Sequence, residues 1–346
     1  MTQKIDYCVL IGRFQIPHHG HFRLIREALE KAEKVIVAVG SANVGRSLRN
    51  PFTFEQRVSF IEHSDIPEIT IAQREGRLIF VPIEDSLYSD QWWVEHVQRK
   101  VRSVTGPDAN VALIGCNKDE SSYYIKMFPQ WELIELVPER DYAATECRNM
   151  YYEFGPHDTG LKNKLYEYTT MGVINALKYI PAQVHKELQD RYFYVKEYRE
   201  KWGTGPFYTT DMVLIKNGHV LMIKRAGESW NADKWALPGG FREEGENSLE
   251  GAIRELEEET GLVLSHLIEL EPENIVFEEF NKEDRDDRAH LITHAFRVHL
   301  LDEGPLPVVE GKDDAEVAEW VPLVDLSASN CYADHYFIIR KMIAGL

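Results

Sequence analysis

A chain of 346 residues is longer than one hydrophobic core usually serves, so two domains are expected, each able to bury a core of its own. With 44% hydrophobic and 28% charged residues and no low-complexity tract, the composition is that of an ordinary soluble globular protein. The formal net charge of −18 argues against nucleic acid or an anionic membrane as partner, so any anionic ligand must be held locally, by backbone amides, a few cations or metal ions.

From residue 1 to 180 apolar runs alternate with amphipathic stretches. Strands are expected at Tyr7 to Ile11, Lys34 to Gly40, Leu78 to Ile83, Val111 to Gly115 and Trp131 to Val137, with helices such as Phe22 to Glu33 and Trp92 to Thr105 between them. Short apolar strands separated by helices predict an α/β fold with a doubly wound parallel sheet, which binds ligands at the carboxyl ends of its strands. The segment "GRFQIPHHGH", residues 12 to 21, falls at the end of the first strand. Gly12 and Gly20 let backbone amides approach a polyphosphate, a helix starting near His21 offers its positive end, and His18 and His21 can donate to phosphate oxygens.

His18-His19-Gly20-His21 resembles the HxGH signature of nucleotidyltransferases, and Gly12-Arg13-Phe14-Gln15 resembles the opening of archaeal-type nicotinamide mononucleotide adenylyltransferases. "RNPFTFEQR", "SDQWWVEHV" and "GCNKDESSYYIKMFPQW" extend the likeness over nearly all of residues 4 to 152. Two departures stand out: Ile16 intervenes before Pro17, and in the second phosphate motif Ala143 replaces the usual serine while Thr145 and Arg148 match. The resemblance implies a Rossmann-like domain in which the mononucleotide phosphate attacks the α-phosphorus of ATP, giving NAD⁺ and pyrophosphate. It places His18 and His21 at the reacting phosphates and Arg148 on the β and γ phosphates, with Mg²⁺ offsetting charge. Gly12, Arg13, Phe14, Gln15, Gly20 and Thr145 join the ATP and mononucleotide site, where Arg13 and Gln15 anchor phosphate or substrate amide groups. Trp92 is the candidate to stack on nicotinamide, with Trp93 its alternative. Lys118 and Asp119 read as ATP contacts or as a loop salt bridge.

Residues 181 to 205, charged and aromatic and closed by a Gly-Thr-Gly-Pro break, read as a helical connector. From 206 to 346 the pattern changes to α+β: a hairpin of Tyr208 to Lys216 and His219 to Arg225 around Asn-Gly, and a helix at Ser248 to Thr260. Strands follow near Asn274 to Phe280, Leu291 to Leu300 and Val317 to Pro322, and a last helix near Ala333 to Ala344. On the Ser248 helix, Leu249, Ala252, Ile253 and Leu256 form a buried stripe, while Glu255, Glu258 and Glu259 share the next face. Carboxylates so crowded repel one another unless a hard divalent cation joins them.

Gly240, Glu246, Arg254, Glu255, Leu256, Glu258, Glu259, Gly261 and Leu262 match every fixed position of the Nudix box, and the domain is identified as a member of the Nudix family, an α/β/α sandwich. The resemblance implies hydrolysis of a nucleoside diphosphate derivative by metal-activated water. Glu255, Glu258 and Glu259 would hold Mg²⁺ or Mn²⁺, Glu246 would support the loop or the metal, and Arg254 would orient a glutamate. The general base stays open between Glu259 and Glu278, Glu279, Glu283 or Glu316. "NKEDRDDRAH", residues 281 to 290, resembles a segment of Nudix hydrolases acting on ADP-ribose, or is a solvated charged loop.

Cys8, Cys116, Cys147 and Cys331 lie far apart without CxxC spacing, which fits a reducing compartment. No signal-peptide layout and no bilayer-length apolar run occur, so a cytoplasmic location is expected. The leading reading is one polypeptide with two active sites, Mg²⁺ or Mn²⁺ at both, using ATP, nicotinamide mononucleotide and ADP-ribose; a homo-oligomer is compatible with it. The rivals are a Nudix domain that senses ligand without cleaving it, and a Nudix site for another nucleoside diphosphate derivative.

Overall fold

The computed structural model describes residues 4–116, 120–138, 140, 142–226, 231, 233–266 and 274–344. The chain divides into two compact units, 1–192 and 193–346. The division falls within one long helix, Ala182–Trp202, in the segment expected as a helical connector.

In the first unit the strands are β1 (Ile5–Gly12), β2 (Ala32–Val39), β3 (Leu78–Pro82), β4 (Val111–Cys116) and β5 (Glu132–Leu136). They form one parallel sheet in the order β3-β2-β1-β4-β5, so the chain reverses its direction of winding between β1 and β4. That is the position where a doubly wound sheet opens a crevice at its strand ends. Helices α1 (His19–Lys31), α2 (Phe54–Glu62), α3 (Pro67–Arg74), α4 (Asp90–Thr105) and α5 (Ala144–Phe154) are followed by α6 (Thr159–Leu165), α7 (Met171–Leu177) and α8 (Ala182–Trp202). The core beneath the crevice is aliphatic, with Val9, Ile36, Ala38, Val97 and Leu113 buried together.

The second unit has β6 (Phe207–Lys216), β7 (His219–Arg225), β8 (Gly239–Phe241), helix α9 (Ser248–Thr260), β9 (Ile275–Phe280), β10 (Leu291–Leu300), β11 (Ala315–Pro322) and helix α10 (His335–Met342). Its sheet is mixed, ordered β11-β7-β6-β10-β9, and β8 pairs with the first half of β6. Asn217 and Gly218 both take positive φ, 49° and 74°, which is the backbone an Asn-Gly hairpin demands. The predicted stripe of α9 is the one that packs: Ala252 and Leu256 are buried against Met212, Leu214 and Leu221, with Leu249 and Ile253 beside them. Asn247 caps the helix by accepting from the amides of Leu249 and Glu250, and Gly261 ends it in the left-handed region. Among the described residues no helix is long and apolar enough to cross a membrane.

Candidate active sites

The histidine loop lies at the carboxyl end of β1. Helix α1 begins at His19, three residues before the apolar periodicity shows, because its first turn is His-Gly-His and carries no apolar residue. His18 is therefore the N-cap, in extended conformation, and its backbone N–H donates to His21 Nδ1 at 3.2 Å. The two imidazoles stack with ring centres 3.8 Å apart, at the positive end of the helix. Gly12 lets Phe14 pack closely: a Cβ there would stand 3.0 Å from the ring of Phe14, which itself holds a left-handed φ of 53°.

Phe14 and Gln15 are both buried beneath the loop. Phe14 is buried with its ring 4.8 Å from that of His21, so it supports the imidazole from below. Gln15 is 1% exposed, and its amide is used twice on one residue: Nε2 donates to the Phe52 carbonyl at 3.1 Å and Oε1 accepts from the Phe52 N–H at 3.0 Å. Both bonds fix the shape of the loop against the Phe52 main chain. Arg13 differs, for its Nη1 is buried without a hydrogen-bond partner among the described residues. Burial lowers its pKa and the nearby Asp85 carboxylate partly offsets this, which leaves a cation suited to an anionic ligand. The displaced proline is explained by packing. Ile16 is fully buried, and the Pro17 carbonyl accepts from the Thr169 hydroxyl at 2.6 Å.

Arg148 on α5 reaches this loop, donating from Nη1 to the Gln15 carbonyl at 3.0 Å and from Nη2 to Thr145 Oγ1 at 2.9 Å. The Thr145 hydroxyl thus orients Arg148, while Ala143 occupies the N-cap without a side-chain cap. Trp92, at the start of α4, is 39% exposed and stacks on His96 at 4.8 Å. Trp93 packs against Phe128 and Tyr124 at the core, so Trp92 is the ring available to a ligand. Lys118 and Asp119 lie outside the described residues.

Sequence reasoning missed Arg57. It is 0% exposed and donates to the carbonyls of Arg13 (2.8 Å), Gly40 (2.5 Å), Ser41 (3.2 Å) and Thr53 (3.1 Å). One buried guanidinium therefore ties the ends of β1 and β2 to the start of α2, and burial lowers its pKa to about 10.

In the second unit a cleft of about 430 Å³ is lined by Asp211, Gly239, Glu255, Glu258 and Glu259, together with Arg285, Asp286 and Arg288 of the 281–290 loop. Arg254 is the hub of the carboxylate face. It bonds Glu246 through Nε (3.1 Å) and Nη2 (3.0 Å), and Glu255 (3.0 Å) and Glu258 (2.8 Å) through Nη1. Those bonds hold the Glu246 carboxyl below its usual range. Burial raises Glu255 despite Arg254, and pushes buried Glu259 up to about 8 although Gly239 N–H donates to it at 2.9 Å.

The donor chemistry fits a hard divalent cation, since Glu255 and Glu259 are carboxylates whose charged forms burial disfavours and a cation would restore. As the side chains stand, no group of three His, Cys, Asp or Glu among the described residues is gathered tightly enough to hold an ion. Glu255 and Glu258 turn to Arg254, and Glu259 turns to Gly239. Of the candidate bases, Glu259 lines the cleft and Glu278, Glu279, Glu283 and Glu316 do not. The 281–290 loop is held rather than merely solvated: Arg285 forms a buried bidentate pair with Asp334 at 2.9 Å, and Arg288 pairs with Asp286.

A Rossmann-like sheet with an HxGH loop, joined to a mixed sheet bearing a carboxylate helix, defines a nucleotidyltransferase unit followed by a Nudix unit. Residues 9–149 match the cytidylyltransferase-like family and residues 206–342 match the NUDIX domain family. The chain is 38% identical over 191 residues to the nicotinamide/nicotinic acid mononucleotide adenylyltransferase of Acinetobacter baylyi, covering 55% of this chain and 94% of that one. It superposes on the crystal structure of a bifunctional NMN adenylyltransferase/ADP ribose pyrophosphatase from Francisella tularensis with a TM-score of 0.83 and 31% identity, covering 99% of both chains. A second structure of that enzyme, with AMP and a manganese ion, gives 0.84 and 30%, covering 98% of this chain and 99% of that one. The chain belongs to the family of bifunctional nicotinamide mononucleotide adenylyltransferases and ADP-ribose pyrophosphatases.

Proposed function

We propose that the first unit joins ATP and nicotinamide mononucleotide into NAD⁺ and that the second hydrolyses ADP-ribose. In the first reaction a phosphate oxygen of the mononucleotide attacks the α-phosphorus of ATP, and the bond to the β-phosphate breaks to release pyrophosphate. No covalent intermediate with the protein is needed, so catalysis is positioning plus stabilisation of charge on the crowded phosphorus. His18, His21 and the amino end of α1 face the reacting phosphates, Arg148 takes the outer phosphates, and Arg13 offers the remaining cation. Gly12, Gly20, Phe14 and Gln15 give the loop its shape, and Trp92 receives the nicotinamide ring. Among the described residues this unit brings cations and imidazoles to the loop, so Mg²⁺ there would be held chiefly by the ATP phosphates and would offset their charge.

In the second unit water attacks a phosphorus of ADP-ribose, its proton passes to a base, and the P–O bond of the diphosphate bridge breaks to give AMP and ribose 5-phosphate. Glu255, Glu258 and Glu259 would hold Mg²⁺ or Mn²⁺, which when bound lowers the pKa of water and offsets phosphate charge. Arg254 positions Glu255 and Glu258, Glu246 anchors Arg254, and Glu259, buried in the cleft, is the favoured base or metal ligand. Arg285 and Arg288 belong to the loop facing the substrate. We place the protein in the cytoplasm, with small-molecule substrates only.

The observation that carries this reading is that each unit gathers its distant motif residues at one place: Arg148 on the Gln15 carbonyl, and the 281–290 loop in the cleft of Glu255, Glu258 and Glu259. Purified protein with Mg²⁺, ATP and nicotinamide mononucleotide should form NAD⁺, and with ADP-ribose should form AMP. Binding of ADP-ribose without turnover would support a sensing domain in place of a hydrolase.

A further inference from the structure

Glu259 is held by a main-chain amide, and that amide belongs to a segment with an anchor of its own. Gly239 N–H donates to Glu259 Oε2 at 2.9 Å. Two residues earlier, the buried Leu237 N–H donates to Nδ1 of His335 at 2.8 Å. Between them Pro238 has a fixed φ, and its carbonyl accepts from Met212 N–H at 2.9 Å. Gly239 lies so close on β6 that a Cβ there would meet the Thr210 carbonyl at 2.2 Å. A short, stiff link therefore runs from the imidazole of His335 to the carboxylate of Glu259.

We infer that His335 is a positioning residue for the hydrolytic site: as a neutral imbedded imidazole accepting from Leu237, it sets the 237–239 segment and through Gly239 the orientation of Glu259. The inference rests on the hydrolase reading above. Because a backbone N–H can only donate, Nδ1 must be the acceptor and the ring proton sits on Nε2. Burial favours the neutral ring. The residue before it, Asp334, is bonded twice to Arg285, both 5% exposed or less, which fixes the start of α10 and so the place of the ring. Removing the acceptor leaves a buried N–H unsatisfied and releases the segment to seek another partner.

Three variants of the full-length protein separate an acceptor from mere bulk. Asparagine places its Oδ1 about where Nδ1 stands, glutamine extends its polar group past that point, and leucine has no acceptor. For Mg²⁺-dependent ADP-ribose cleavage, H335N is expected to keep kcat within about threefold, while H335Q and H335L lose about 100-fold in kcat with KM little changed, the scale of a roughly 1 Å misplacement. Mn²⁺ affinity, counted by the electron spin resonance of the free ion, should fall in H335Q and H335L and hold in H335N. NAD⁺ synthesis and thermal unfolding of the same samples report folding, and if H335L does not fold, H335Q carries the comparison. Folded H335Q with unchanged kcat and Mn²⁺ affinity overturns the inference, as does H335N failing as badly as H335Q. A wild type that cleaves no ADP-ribose contradicts the hydrolase reading instead, and the Mn²⁺ series then decides the role of His335.

Discussion

Arg148 Nη1 donates to the main-chain carbonyl of Gln15 at 3.0 Å, joining residues 133 positions apart in sequence. Through it the helix α5 motif and the histidine loop are brought together, as the proposed phosphate site requires. Arg148→Ala should lower NAD⁺ synthesis by about 10² to 10³-fold, the usual effect of removing a preorganised donor to transition-state charge. ADP-ribose hydrolysis in the same preparation should not change. A coupled assay reading both products checks it, and a loss of both activities would point to misfolding rather than to the phosphates.

The two neighbouring tryptophans should behave differently. Trp92 is exposed on α4, and Trp92→Ala should raise KM for the mononucleotide by about tenfold, as loss of a stacking surface does, with little change in kcat. Trp93 packs on Phe128, and Trp93→Ala should destabilise the fold by about 2 to 3 kcal/mol in denaturant titration. The reverse pattern would exchange their roles.

Arg57 carries no substrate in this account, yet its loss should be among the most damaging in the first unit. Arg57→Met leaves the carbonyls of Arg13, Gly40 and Ser41 without their guanidinium donor, at a cost of about 3 kcal/mol or more. Chemical denaturation measures this directly. A shift below about 1 kcal/mol would show that water replaces the guanidinium at little cost.

The Glu259 carboxyl has its pKa raised by burial from the usual 4.5 to about 8. A raised value means that the folded state holds the proton more tightly than the unfolded one. Its contribution is therefore complete below about pH 4.5 and is lost as pH rises through about 8. Metal-free protein should lose stability across that window, and Mg²⁺ added near pH 8 should restore it by pairing with the carboxylate. Denaturation in EDTA at a series of pH values, with Glu259→Gln as a control whose profile is flatter, tests the sign. Stability rising with pH through the same window in EDTA, unaltered by Glu259→Gln, would contradict it.

Much of this was legible in the sequence because it is local. The parallel strands, the Asn-Gly hairpin, the stripe of α9 and the Glu255, Glu258 and Glu259 face all follow from periods of two and 3.6 or from adjacent turn residues. The roles of Gln15 and Arg57 were not, because a side chain that bonds main-chain carbonyls leaves no pattern in the residues it bonds. The same holds for Asp334 with Arg285 and for His335 with Leu237, pairs 49 and 98 positions apart. The start of α1 at His19 was hidden for another reason: a first turn of His-Gly-His has no apolar residue to reveal its period.

The central claim is that one chain carries two separable active sites. It is tested most directly by assaying wild type, Arg148→Ala and Glu258→Gln with Mg²⁺ for NAD⁺ from ATP and nicotinamide mononucleotide, and for AMP from ADP-ribose. The account predicts both products from wild type, loss of NAD⁺ alone in the first variant and loss of AMP alone in the second. A wild type that forms neither product, or a folded variant that loses both together, would contradict it.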